Sequence, residues 1–171
     1  MAEEGEDLKE HLIGKYGPRA GAMVDDPNNH LNRAGKAVGI NFTSKRRIYP
    51  TIKAHALMEH VKSKDNDTAN KLMEEMYKTY FEEAKNINDK NVLADVASRV
   101  GIDKAEAEEA IDNPDLIEKV KQLDSMAKGG YRVTGVPFFI IEPKTGGRPI
   151  AFSGAQPPDI IAEQLELAAE E

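Results

Sequence analysis

The chain has 171 residues, 40% of them hydrophobic and 31% charged, enough to core one compact domain or a small two-lobed one and too apolar for an extended disordered chain. A net charge of −7 argues against a phosphate-backbone partner, and the absence of cysteine excludes thiol catalysis, disulfides, thiolate metal sites and iron–sulfur clusters together. No window nears the roughly 18 apolar residues of a membrane span, and the acidic opening MAEEGEDLKE is unlike a signal peptide, so a cytoplasmic location without membrane contact is expected.

In the N-terminal third, Gly14, Gly17, Pro18, Gly21 and Pro27 break the helical pattern, leaving short helices expected at residues 8–16 and 29–38. Lys45, Arg46 and Arg47 form a basic cluster that reads as a solvated loop. Beyond Pro50, residues 51–62 place Ala54, Leu57, Met58 and Val61 on one helical face. Residues 66–85 continue the periodicity most strongly, with Ala69, Leu72, Met73, Met76, Tyr77, Tyr80, Phe81 and Ala84 opposite a charged face. Asp89 caps a helix carrying Val92, Leu93, Val96, Ala97 and Val100, which Gly101 stops. Asp103, with Glu106 three residues on, opens another. Asn113 and Pro114 start a helix whose inner face is Leu116, Ile117, Val120, Leu123 and Ala127, ended by Gly129 and Gly130.

The character changes at Tyr131. The run Phe138, Phe139, Ile140, Ile141 follows Pro137 and predicts a strand, residues 142–148 a turn, and residues 150–153 a second strand antiparallel to the first. Pro157 and Pro158 open a last helix with Asp159 in its first turn and Ile160, Ile161, Leu165 and Ala168 inward. The first strand does not alternate, so both of its faces are expected to be covered, as in an inner strand. The sequence offers it one convincing neighbour, and a sheet of two strands is marginal alone.

The stretch Val133, Thr134, Gly135, Val136, Pro137, Phe138, Phe139, followed by a hairpin and then Ser153, Gly154, Ala155, Gln156, Pro157, Pro158, resembles the C-terminal signature of DsbA-like thioredoxin-fold proteins, in particular their FrnE-type branch. Upstream, Thr51 with Ala54 and His55, and Tyr80, Phe81, Ile87, Asn88, Asp89, Val92 and Leu93, match the helical insert of that branch in order and spacing. Pro50, Ala56 and Arg132 depart from it, standing where Asn, Arg and Gly are usual. The resemblance implies an α/β, mostly helical chain with an incomplete DsbA-like thioredoxin fold. Residues 1–130 form the insert-type region and 131–171 the closing strand, strand and helix. The segment that bears the Cys-x-x-Cys helix in the family has no counterpart here, so a truncated chain is expected.

The family's reaction is protein disulfide exchange, which needs a thiolate this chain does not have, so no catalytic residue is assigned and the chain is expected to be inactive as written. The resemblance further implies a cis bond before Pro137 and a peptide-binding surface at Thr134, Gly135, Val136 and Pro137, where an extended partner adds as a strand. A non-enzymatic module that binds a peptide or protein, or its own copy, at the bare sheet edge is the alternative. No cofactor or metal is expected: His11, His30, His55 and His60 offer no i, i+4 pair, and hydrogen bonding within the insert is the expected role of His55. Met58, Met73 and Met76 read as core rather than as a pliable groove, and the pairs Glu74 with Glu75 and Glu108 with Glu109 as solvent-facing.

Overall fold

A computed structural model describes residues 3–170, and the chain divides into two compact units, Met1–Lys121 and Gln122–Glu171. The first unit opens with β1 (Glu6–Asp7), α1 (Leu8–Tyr16), α2 (Pro18–Asp25), α3 (His30–Ala37) and β2 (Arg47–Ile48). It continues with α4 (Ile52–Lys62), α5 (Asn66–Phe81), α6 (Lys90–Arg99) and α7 (Lys104–Ile111). The division falls within α8 (Pro114–Gly129), and the second unit adds β3 (Phe138–Ile141), β4 (Ile150–Ser153) and α9 (Pro158–Glu170).

The capping residues act as the sequence predicts. Asp89 accepts hydrogen bonds from the Asn91 and Val92 amides, Asp103 from those of Ala105 and Glu106, and Asn113 from those of Asp115 and Leu116, each matching unpaired donors of a first helical turn. α4 packs on α5 and α7, and α6 on the same two helices. Between them Leu57, Leu72, Leu93, Val96 and Ile111 are fully buried. Arg99 covers one side of this core, donating to Glu75 and to the buried Thr79 hydroxyl.

Three local expectations need correction. α5 stops at Phe81 rather than residue 85, because Ala84 turns left-handed at φ 56° and the Glu83 and Lys85 amides bond back to Lys78 and Thr79. Gly17 and Pro18 do not merely interrupt: Pro18 takes the first position of α2, a helix the sequence reading missed. Gly21 within it lies so close to α1 that a Cβ would sit 2.6 Å from Ile13, a close approach that a glycine-as-breaker reading does not anticipate. The two-residue strands β1 and β2 also escaped, since their pairing of Glu6 with Ile48 and Asp7 with Arg47 spans some forty residues of chain.

In the second unit the hairpin forms where expected, Phe138 opposite Ser153 and Ile141 opposite Ile150. Its burial differs from expectation. β3 is not covered on both faces: three of its residues are half-buried and Ile140 is exposed, because among the described residues β4 is its one strand neighbour. The inner faces expected for α8 and α9 are likewise shallow. No residue of α8 is buried, and of Ile160, Ile161, Leu165 and Ala168 in α9 Ala168 alone is.

Candidate functional site

The four residues singled out by the sequence, Thr134, Gly135, Val136 and Pro137, lie together on the exposed approach to β3. The approach is shaped by the end of α8. The Gly130 and Tyr131 amides both close on the Met126 carbonyl, at 2.7 and 3.1 Å, Arg132 turns left-handed at φ 53°, and the Val133 amide reaches Ala127 at 2.9 Å. The chain then runs outward, and Val136 is 89% exposed. The Val136–Pro137 peptide bond is cis.

Pro137 is tied to the hairpin through its carbonyl, which accepts from the Gly154 amide at 2.9 Å. That bond sets the phase of the antiparallel ladder: Phe139 and Ile141 exchange bonds with β4, so Phe138 and Ile140 turn their amides and carbonyls toward the other edge, which has no strand partner among the described residues. The Phe139 and Phe152 rings stack at 5.0 Å and hold the two strands together. The site is therefore a strip of unpaired backbone donors and acceptors beside an exposed valine. Such a strip can pair with extended chain. Among the described residues no group of three or more His, Asp or Glu side chains is placed to hold a metal ion.

The histidines lie apart from it. His11 Nδ1 is 2.7 Å from Glu6 and His60 Nε2 is 2.9 Å from Glu106. Glu106 also accepts from Lys64 at 2.9 Å, and these two partners, Lys64 first, hold its carboxyl below the usual glutamate range. His55 differs from expectation: it faces solvent from α4, and its ring makes no hydrogen bond among the described residues.

The basic cluster also departs from a solvated loop. Arg47 lies in β2 and donates to the Glu4 and Gly5 carbonyls, while Arg46 is half-buried over the rings of Tyr80 and Phe81, at 5.6 and 5.1 Å from its guanidinium carbon. Arg46 borders an apolar groove among α1, α2 and α3 that sequence reasoning missed entirely. Its walls come from four short segments, each too brief to show a period of its own.

A family model for the DSBA-like thioredoxin domain matches residues 10–166. The chain belongs to that family. None of the curated proteins matches it. Among solved structures, a probable DsbA oxidoreductase from Streptomyces coelicolor is similar at 24% identity, with a TM-score of 0.81 over 99% of this chain and 70% of the other. The fold is accordingly a DsbA-like thioredoxin fold, mostly helical, with small antiparallel strand pairs.

Proposed function

We propose that this member of the DSBA-like thioredoxin family holds an extended polypeptide along the free edge of β3, beside Pro137, and carries out no thiol–disulfide exchange with its own side chains. The observation that carries the reading is the edge of β3 beside the exposed Val136, which has no strand partner among the described residues and is phased so that Phe138 and Ile140 offer backbone groups outward. The chemical half rests on composition: a disulfide is attacked by a thiolate, and these 171 residues contain none. FrnE-type parentage, carried by the order and spacing of Thr51, Ala54, His55, Tyr80 and Phe81, and a cytoplasmic site of action belong to the same proposal.

Titration of the labelled chain with a cysteine-free extended peptide, followed by NMR, tests it. Shifts are expected at Thr134, Gly135, Val136, Phe138 and Ile140. Ile140→Pro removes one outward donor while leaving the Phe139 and Ile141 pairs intact, and is expected to weaken binding with the hairpin retained. Shifts confined to other residues, or shifts at these positions that grow with protein concentration alone, reject a peptide occupant, and the second result assigns the edge to another copy. Reductase, oxidase and isomerase assays are expected to show no turnover; turnover that survives removal of contaminating thiol proteins rejects the chemical half.

A further inference from the structure

We infer that the groove among α1, α2, α3 and residues 42–46 binds a medium-chain fatty acid, with its carboxylate at Arg46. The groove offers about 290 Å³, open to solvent along one side, with Leu8, Leu12, Met23, Val24, Leu31 and Phe42 in its walls. At the roughly 10–15 Å³ of such space that one water needs, the groove is many times larger than a hydration site and takes an alkyl chain. Phe42, one of its walls, is packed tightly from behind by α3: a Cβ at Gly35 would meet its ring at 2.7 Å.

The polar end is Arg46. Its Nη1 donates to the Thr43 carbonyl at 3.0 Å, but its Nε is sealed from solvent with no hydrogen-bond partner. Among the described residues no carboxylate pairs with it. A cation half-removed from water, with a donor unmatched, is unfavourable in a chain that has 30 acidic residues available to neutralise it. An entering carboxylate would supply the missing charge. The adjoining pocket, which shares Phe42, Thr43 and Ser44 with the groove, adds Lys36 and Lys45; the acid on that pocket, Asp25, is held by Lys9 at 2.5 Å. The positive field at this end therefore favours an anionic head. The aliphatic side chains of the walls and the flexible Met23 suit a hydrocarbon tail.

Decanoate is the probe, measured by calorimetry and NMR below the concentration at which it self-associates. Saturable one-to-one binding is expected, with shifts at Leu8, Leu31 and Phe42. Decan-1-ol, with the same tail and no charge, is expected to bind about tenfold more weakly, and Arg46→Gln to lower decanoate affinity by about the same factor while leaving decanol unchanged. Leu31→Glu, at an exposed position on the groove wall, places a carboxylate at the lining and is expected to abolish decanoate binding even if Arg46→Gln proves poorly folded. The inference is overturned by the absence of saturable binding, by equal affinity for the alcohol, or by indifference to Leu31→Glu. Inorganic phosphate or anionic vesicles competing as well as decanoate would assign the cationic end to a headgroup alone and overturn it too. So would shifts of the groove residues with protein concentration in the absence of any ligand, which would point to a second copy.

Discussion

The helices of Met1–Lys121 and the hairpin and helix of Gln122–Glu171 carry apolar stripes of similar composition, yet bury them to different depths. In the first unit Leu57, Leu72, Leu93, Val96 and Ile111 are closed off completely, because each of α4 to α7 finds partners for its stripe. In the second, Leu165 is 53% exposed and Leu123 38%, although both lie on the apolar faces of their helices. An amphipathic pattern states which face of an element is available for packing. Whether that face is buried depends on how many other elements meet it, and a two-stranded sheet with little helix around it offers few.

Truncating the two units sharpens this contrast most. Leu72→Ala or Leu93→Ala is expected to cost about 2–5 kcal/mol in denaturant unfolding, since each leaves a cavity in a closed core. Ile140→Ala, at a position already exposed, is expected to cost less than about 1 kcal/mol. Equal costs would show that the second unit is buried in solution. Hydrogen exchange reads the same contrast without mutation: the Leu72, Leu93 and Val96 amides are expected to open only with global unfolding, and those of Phe139 and Phe152 through cheaper local opening. Comparable protection in both regions would break the comparison.

Within the first unit, removal of a cap is a smaller effect. Asp89→Ala or Asp103→Ala is expected to destabilise by about 1 kcal/mol, with the asparagine variants close to wild type, because the side-chain oxygen that accepts the helix amides is what matters. Smaller still is the brace from Glu106 to Lys64 and His60. Its carboxyl titrates below the ordinary value of about 4.3, so its contribution is present above that value and is lost as pH falls through the depressed one. Wild type is expected to lose stability relative to Glu106→Gln as pH is lowered from 5 to 3, in paired denaturation curves. Parallel curves would remove the brace from the account.

Local signals explain what was legible in the sequence. Asp89, Asp103 and Asn113 announce helix starts because a cap bonds amides two and three residues ahead, within its own segment. The hairpin was legible for the same reason, since a turn near Gly146 lies between two short apolar runs. The positions of Thr134 to Pro137 were legible through family resemblance, but the direction of the free edge required the Gly154 to Pro137 bond that phases the ladder. α2 was missed because Gly17, Pro18 and Gly21 read as breakers, when one starts a helix and another admits the side of α1.

By itself, then, the amino-acid sequence determined the order of the main helices, the caps at Asp89, Asp103 and Asn113, the two strands of the hairpin and the exclusion of thiol chemistry, all of which depend on neighbours in the chain or on composition alone. Tertiary structure decided where Arg46 lies, that four unremarkable segments enclose a groove, that β1 finds β2, and that the Phe138 to Ile141 run stays half-exposed. Each of those outcomes depends on which distant segments come together, and the free energy of burying a side chain belongs to that meeting of segments rather than to any one of them.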